Sequence, residues 1–211
     1  MPELIPLTGY YYPNKMGYIL LLALEEELGR DNLNTILQDS QLTQYLSQLP
    51  AKNYERQFDF AHIANLLHSL ETHYGPRGSR TLSLRTGQTM FEQGLKNFGD
   101  LAGVTDPAFI VLPLSTKLKV GLPAIARIFT QLSDQITHVV EQPDHYLYYI
   151  DRCPICWGRR AEQPICHLST SILQSALRWV SGGLQFRVEE INCIAMGDPS
   201  CVFKVDKEPV K

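Results

Sequence analysis

The chain has 211 residues, of which 44% are hydrophobic, and a formal net charge of −3 at pH 7. That length and composition are enough to bury a substantial core as one domain. The weakly acidic balance excludes a general electrostatic attraction to nucleic acid or anionic lipid, and every apolar run is far shorter than the ~20 residues that span a bilayer. We therefore expect no nucleic-acid partner and no transmembrane segment.

Residues 1–15 contain three prolines and the consecutive tyrosines Tyr10, Tyr11 and Tyr12. We interpret this stretch as an N-terminal extension ahead of a single domain over residues 16–211. The tyrosines are expected either to cap the edge of the core or to contribute to a homodimer contact. Because the first residues lack the basic segment and apolar run of a secretory signal, we expect a cytoplasmic protein, and peripheral attachment to a membrane is compatible with this.

Helical spacing of apolar residues dominates the first half of the chain. Predicted helices cover residues 16–28, 32–37, 42–49, 58–74 and 81–99. Gly29 is the expected end of the first helix, Asp31 and Ser40 are candidate N-caps, and residues 75–79 are predicted to form a loop.

The remaining pattern predicts one further long helix before a sheet. After proline-containing segments near residues 106–113, Pro123 suits the first position of a helix that we expect to run to about His138. Residues 144–151 alternate in polarity and predict a strand, as do two runs after residue 184. Helices followed by a mainly antiparallel sheet, interrupted by a helix, indicate an α+β fold.

All five cysteines lie in the last third of the chain, where they predict a site. If the two final strands form a hairpin centred on Gly197, Cys193 and Cys201 sit opposite each other. Two thiols so placed can share a metal ion, form a disulfide or simply fill the core. Cys166 opens the preceding helix and could join them, and zinc suits such thiolate ligands, with histidine or carboxylate completing the set.

The residues from Cys166 through Gly182, Gly183 and Glu190 to Cys201 resemble the C-terminal signature of the 4-vinyl reductase domain family. The family includes hydrocarbon-binding proteins and aromatic-sensing domains of transcription activators. It shares its fold with transport-particle subunits and haem-type nitric-oxide sensors. The resemblance implies a similar fold here, with N-terminal helices packed on the sheet.

The resemblance also implies a zinc site with four ligands. In the aromatic sensors the ligands are a cysteine before a helix, a glutamate, and two further cysteines, which correspond here to Cys166, Glu190, Cys193 and Cys201. On an ideal strand Glu190 and Cys193 point to opposite faces, so a bulge or a strand end is required between them. Cys153 and Cys156 receive no role from the resemblance, and they are interpreted as buried thiols, as a separate zinc site or as a dithiol redox pair.

The family encloses a hydrophobic small molecule between helices and sheet, so the resemblance implies a similar pocket. Glycines at 87 and 94 each lower helix stability by about 1 kcal/mol relative to alanine, which is compatible with close packing against a neighbouring helix or a flat ligand. The candidate pocket residues are Phe91, Leu95, Phe98, Ile125, Phe129, Leu132, Tyr146 and Tyr148.

The family includes members linked to bacteriochlorophyll synthesis, and stand-alone versions in photosynthetic bacteria resemble this chain. A tetrapyrrole such as chlorophyll or a precursor is therefore an expected ligand, with a role in chlorophyll handling or photosystem assembly, and no catalysis. Two alternatives stay open. The first is a reductase of a tetrapyrrole vinyl group, although no nicotinamide or flavin fingerprint is visible. The second is a dithiol redox protein that uses Cys153 and Cys156.

Overall fold

Helices come first along the chain and the larger sheet follows, in the computed structural model, which describes residues 4–210. The α-helices are α1 (Asn14–Leu28), α2 (Arg30–Asp39), α3 (Phe60–Ala102), α4 (Pro107–Ile110), α5 (Leu114–Leu132) and α6 (His167–Val180). The strands are β1 (Tyr11–Pro13), β2 (Arg56–Asp59), β3 (Thr137–Glu141), β4 (His145–Ile150), β5 (Phe186–Asn192) and β6 (Cys201–Pro209).

The larger sheet has the strand order β3-β4-β6-β5, and all its neighbouring strands are antiparallel. The short strands β1 and β2 form a separate antiparallel pair beside the start of α3. This arrangement confirms the predicted α+β class and the predicted strand at residues 144–151, which is β4. Strand β3 was not predicted, because its residues were assigned to the end of a helix.

Helix α3 begins where Asp59 caps it. The Asp59 carboxylate accepts a hydrogen bond from the Ala61 backbone N–H at 2.8 Å and also binds the backbone N–H groups of Thr8 and Gly9. Phe58 therefore belongs to β2 and not to the helix, contrary to the prediction that the helix starts at residue 58. The same carboxylate ties the N-terminal segment to the body of the fold.

The predicted loop at residues 75–79 is a kink within α3. Gly75 has φ 68° and ψ 171°, a backbone conformation that suits glycine, and the helix resumes at once with Pro76 in its first turn. Helical hydrogen bonding is thus interrupted at one residue and not over five. The kink directs the second half of α3 along α6.

Gly87 explains how closely α3 and α6 approach each other. A Cβ at this position would lie 2.7 Å from the Leu168 carbonyl oxygen and 2.7 Å from Ser171 Cβ. The Ser171 hydroxyl donates a hydrogen bond to the Leu84 carbonyl of α3. Close helix packing is therefore the role of Gly87, as one of its two predicted uses.

Several other predicted boundaries are wrong. The pattern at residues 42–49 yields only a 3₁₀ turn at Thr43–Tyr45, because Gln41 has a positive φ of 54° and Pro50 disfavours helix at the preceding residue. Asp31 lies within the first turn of α2 and Ser40 is its C-cap, so neither acts as an N-cap. Helix α5 begins at Leu114, contains Pro123 in its interior and ends at Leu132.

The tyrosines at the start of the chain contact the core. Tyr12 is buried, and the Tyr10 ring packs edge-on against Trp157 with centroids 5.3 Å apart. This placement matches the interpretation that the tyrosines cap the edge of the core. Of the helices within residues 4–210, none is both long and apolar enough to cross a bilayer.

Candidate functional site: a thiol cluster beside an apolar cavity

Separate elements of the C-terminal region bring the five cysteines together. Cys153 and Cys156 lie in the loop between β4 and α6, and Cys166 immediately precedes α6. Cys193 follows β5, and Cys201 is the first residue of β6. The cluster therefore connects the ends of three strands to the N-terminus of a helix.

Strand pairing explains why these positions meet. The last residue of β4, Ile150, pairs with Cys201, so the loop after β4 leaves the sheet beside that thiol. On the other side of β6, Asn192 at the end of β5 pairs with Val202, and Cys193 emerges next to Cys201. The central position of β6 in this half of the sheet thus fixes the convergence.

The required irregularity between Glu190 and Cys193 is present. The pairing of β5 with β6 shifts register between Glu190 and Asn192, and β5 ends at Asn192. Because a bulge reverses the alternation of side chains, Glu190 and Cys193 both reach the cluster. The Cys193 backbone N–H donates to Asp198 Oδ2 at 2.8 Å, which fixes the turn that follows.

The sulfur atoms lie close to one another and away from solvent. Cys153 and Cys166 Sγ atoms are 3.6 Å apart, Cys166 and Cys201 are 3.6 Å apart, and Cys156 and Cys201 are 3.4 Å apart. All five cysteines are at most 1% exposed and none forms a disulfide. Such spacings are much longer than a disulfide bond of about 2.05 Å.

Two groups of four side chains have the spacing of a metal site. One group consists of Cys153, Cys156, Cys166 and Cys201, and in the other Cys166 and Cys201 are joined by Glu190 and Cys193. Within each group the ligand atoms lie within 4.8 Å of one another. The Cys153 and Cys156 pair, which the sequence left separate, thus belongs to the same cluster as the other thiols.

The electrostatics of the cluster favour a cation. Burial raises the pKa of the Cys166 thiol well above its usual range, because a thiolate there would have no water around it. Burial, with a smaller contribution from the charge of Cys193, raises the pKa of the Glu190 carboxyl to about 9. Both groups would be neutral near pH 7 without a neighbouring cation, and a bound metal ion would stabilise their charged forms.

Glu190 has one oxygen engaged and one oxygen unpartnered. Its Oε2 accepts a hydrogen bond from the Cys166 backbone N–H at 2.8 Å. Its Oε1 is buried without a hydrogen-bond partner among the described residues. A buried carboxylate oxygen without a partner is unfavourable, and a metal ion would satisfy it.

The donor set fits zinc. Zinc binds thiolate sulfur at about 2.3 Å with tetrahedral geometry, which separates neighbouring sulfurs by about 3.8 Å. The sulfur separations of 3.4–3.6 Å between neighbouring cysteines are close to that value. Four cysteines, or three cysteines with a carboxylate, both draw on the side chains that commonly bind zinc.

An apolar cavity of about 140 Å³ lies next to the thiol cluster, between α1, α3, α5, α6 and β4. It is lined by Tyr12, Met16, Ile19, Leu20, Ile63, Met90, Phe91, Gly94, Leu95, Phe98, Gly99, Ala102, Val104, Ile125, Ile128, Phe129, Gln135, Tyr148, Ile150, Pro154, Ile155, Leu168, Ser169, Ile172 and Leu173. Pro154 and Ile155 lie between Cys153 and Cys156, so one loop supplies both cavity wall and cluster ligands.

Six of the eight predicted pocket residues line the cavity. They are Phe91, Leu95, Phe98, Ile125, Phe129 and Tyr148. Tyr146 does not reach it, because it lies two residues, or about 7 Å, further along β4 than Tyr148 and packs under Lys207. Leu132 does not reach it because α5 ends at this residue, before the expected helix would have ended.

Sequence reasoning missed the contribution of α1 and α6 to the cavity. Met16, Ile19 and Leu20 of α1 line it, and their spacing of three and four residues is a detectable signal for one helix face. Leu168 and Ile172 of α6 have the same kind of spacing. Such stripes indicate a buried face but do not distinguish a cavity wall from filled core.

A few polar groups face this apolar space. The Tyr12 hydroxyl donates to Gln135 Oε1, and Gln135 Nε2 donates to Thr137 Oγ1 at 2.8 Å. Tyr148 is 2% exposed, and burial raises the pKa of its hydroxyl with no opposing hydrogen bond. Among the described residues the Tyr148 hydroxyl has no hydrogen-bond partner, so it can donate to a molecule in the cavity.

Known structures with this fold include H-NOX proteins. The Fe(II) unliganded H-NOX protein from K. algicida is 12% identical and aligns over 94% of this chain and 97% of its own, with a TM-score of 0.57. A mutant H-NOX protein from S. oneidensis in the Fe(II) ligation state is 10% identical and aligns over 92% of this chain and 95% of its own, with a TM-score of 0.60. At these identities the likeness shows the fold alone.

A trafficking protein particle complex subunit 3 from Naegleria fowleri, covalently bound to palmitic acid, aligns over 69% of this chain and 84% of its own. Its identity is 15% and its TM-score is 0.45, too low to add to the fold assignment. No curated protein matches the sequence.

The sequence match lies in the C-terminal region. Residues 148–207 match the family model of the 4-vinyl reductase domain, and this segment contains all five cysteines and Glu190. The match confirms the resemblance stated from the cysteine and glycine spacing. The chain is therefore a member of the 4-vinyl reductase domain family with an H-NOX-like α+β fold.

Proposed function

We propose that this protein binds a compact apolar small molecule in its cavity and does not transform it. The observation that carries this proposal is the cavity itself, about 140 Å³ of space lined almost wholly by apolar side chains. An engineered apolar cavity of about 150 Å³ in another protein binds benzene. A ring of that size, or a short branched hydrocarbon, therefore suits this space.

The family and the fold support small-molecule binding. The matching segment is a 4-vinyl reductase domain, and the neighbouring H-NOX structures include an Fe(II) form and one that concerns haem distortion. The described residues that line the cavity include no histidine or cysteine, which are common haem ligands. The proposal therefore takes from these neighbours the enclosed position of a ligand and not its identity.

Tyr148 would give the site its selectivity. Its unpartnered hydroxyl lines an otherwise apolar space, and a ligand with a carbonyl oxygen would accept its hydrogen bond. Gln135 is already engaged by Tyr12 and Thr137, so it is a less available partner. The preferred ligand is thus an apolar ring that carries one hydrogen-bond acceptor.

Zinc in the thiol cluster would have a structural role. Cys166, Glu190, Cys193 and Cys201 would hold it, as the family resemblance implies, and the bound ion would neutralise their charge and cross-link the strand ends to α6. The loop that carries Cys153 also carries wall residues of the cavity. Metal binding would therefore keep that side of the cavity in place.

A tetrapyrrole such as chlorophyll is a larger ligand than the cavity favours. Pockets for drug-sized molecules occupy about 300–1,000 Å³, well above the 140 Å³ found here. A tetrapyrrole would require α3 and α5 to separate. Chlorophyll handling, photosystem assembly, membrane attachment and a homodimer contact therefore stay predictions, and the first of these is tested by the same titration.

The two alternative functions gain less support. Cys153 and Cys156 are each 1% exposed and lie against other thiols, which leaves a redox partner without access to them. A vinyl reductase would need a hydride donor from elsewhere. Binding without turnover is consequently the function that the site supports best.

The test is calorimetric titration of the purified, metal-loaded chain with toluene and with benzaldehyde, which differ mainly in the acceptor oxygen. We expect both to bind with a stoichiometry of one, and benzaldehyde more tightly. Absence of heat and of any thermal stabilisation with either compound would reject the proposal. Addition of protoporphyrin, followed by its absorbance spectrum, tests the larger ligand in the same samples.

A further inference from the structure

The thiol cluster contains more ligands than one metal ion can use. Five sulfur atoms and one carboxylate belong to it, whereas a structural zinc ion takes four ligands. We infer that the cluster is a binuclear centre in which Cys166 and Cys201 bridge two divalent cations of the zinc type. This inference deepens the metal-binding part of the proposed function and rests on it.

The overlap of the two ligand groups specifies this arrangement. Each group has four members, and they share Cys166 and Cys201. Six donors can complete two four-coordinate ions only if two of them bind both ions. The two shared residues are both cysteines, and thiolate sulfur has the lone pairs needed to bridge, so the sharing is chemically suitable.

The sulfur positions agree with two tetrahedra that share an edge. The shared edge, from Cys166 Sγ to Cys201 Sγ, is 3.6 Å long. Cys153 lies 3.6 Å from Cys166, and Cys156 lies 3.4 Å from Cys201, so each bridging sulfur has one further ligand of the first ion beside it. Around tetrahedral zinc such edges measure about 3.8 Å.

The second ion would occupy the side of the shared edge where β5 ends. There Cys193 and Glu190 complete the group, while neither Cys153 nor Cys156 belongs to it. The unpartnered Glu190 Oε1 is an independent sign of a cation on this side, since no described residue donates to it. A single ion bound by the four cysteines of the first group would leave that oxygen buried and unsatisfied.

Charge balance favours two ions over one. Five thiolates and a carboxylate carry six negative charges at most, and all five cysteines are at most 1% exposed. One divalent ion bound by four thiolates leaves the fifth thiol and Glu190 without a counter-charge. Two divalent ions supply four positive charges and let every donor act as a ligand.

The test begins with metal content. Purified chain, prepared without chelator and freed of loosely bound ions by gel filtration, is measured by elemental analysis and by native mass spectrometry. We expect two zinc ions per chain. One ion per chain would overturn the inference while leaving a structural zinc, and no metal would overturn both.

Two double variants divide the centre. Cys153→Ser with Cys156→Ser removes the terminal ligands of the first ion, and Glu190→Gln with Cys193→Ser removes those of the second. Each is expected to retain one ion per chain. A mononuclear site would instead lose its ion in one double variant and keep it unchanged in the other.

Cadmium substitution provides a measurement that needs no variant. The wild-type chain loaded with ¹¹³Cd should give two resonances, one from a site with four sulfurs and one from a site with three sulfurs and an oxygen, coupled through the bridging thiolates. A single resonance would overturn the inference. Titration of the same sample with toluene reports the cavity separately, so failure of ligand binding and failure of the binuclear centre are distinguishable.

Discussion

The apolar cavity and the thiol cluster share one loop but have opposite physical requirements. The cavity is an underpacked space in which few polar groups are present, and it stays folded because neighbouring helices enclose it. The cluster is densely packed, and its buried donors lack counter-charges. A ligand in the cavity adds affinity to a formed structure, whereas a metal ion in the cluster contributes to forming the structure.

The largest expected effect comes from Cys201→Ser, which removes a ligand shared by both metal-binding groups. We expect loss of bound zinc and a decrease in the free energy of unfolding of more than about 4 kcal/mol, because structural zinc contributes directly to folding. Thermal unfolding and zinc content check this. The comparison would fail if the variant kept the wild-type melting temperature.

A matched control for that variant is Met196→Ala, in the turn between β5 and β6. Met196 is 46% exposed and is not a ligand. A change of no more than about 0.5 kcal/mol is expected, with zinc content unaltered. A large loss of zinc from this variant would indicate that the turn, and not the thiols, governs binding.

The next largest effect is expected for Gly87→Ala, at the contact between α3 and the start of α6. The added Cβ would lie 2.7 Å from a backbone oxygen and from Ser171, which forces the helices apart and lowers the free energy of unfolding by about 1–3 kcal/mol. Chemical denaturation measures it. An unchanged midpoint would show that this contact yields easily.

Gly94→Ala should have the opposite sign. No atom lies within 4 Å of an added Cβ, and α3 gains up to about 1 kcal/mol from the better helix former. The two glycines, which lie on the same half of one helix, therefore separate close packing from cavity lining. Equal destabilisation of both variants would contradict this distinction.

Filling the cavity should abolish ligand binding with little change in fold. Gly94→Phe places a ring beside the open space that Gly94 lines, and we expect toluene affinity to fall at least tenfold while zinc content is retained. Gly94→Ala, which adds little volume, is the control and should keep wild-type affinity. Undiminished toluene binding by the phenylalanine variant would place the ligand elsewhere.

The smallest effect is expected for Tyr148→Phe. Loss of one hydrogen bond of about 1 kcal/mol should weaken benzaldehyde binding about fivefold and leave toluene binding unchanged. Stability without ligand should stay the same or rise, because a buried hydroxyl without a partner is removed. Equal weakening of both ligands would mean that the ring, and not the hydroxyl, was altered.

Local patterns predicted the parts of this protein that depend on neighbouring residues. The alternation at residues 144–151 predicted β4, and the spacing of apolar residues predicted the face of α3 with Phe91, Leu95 and Phe98. The same reasoning failed where one residue decides the outcome. Gly75 makes a kink and not a loop, and α5 continues through Pro123, because packing on either side holds the helices in place.

By itself the sequence determined the class of fold, the family and the chemical nature of the C-terminal site, since composition, periodicity and cysteine spacing are local properties. Only the tertiary structure decided that Cys153 and Cys156 join the other thiols and that α1 and α6 complete the cavity. These facts depend on strand order and helix packing, which bring together residues far apart in the chain. Whether an apolar stripe meets filled core or an empty cavity is decided by the shape of the surfaces opposite it.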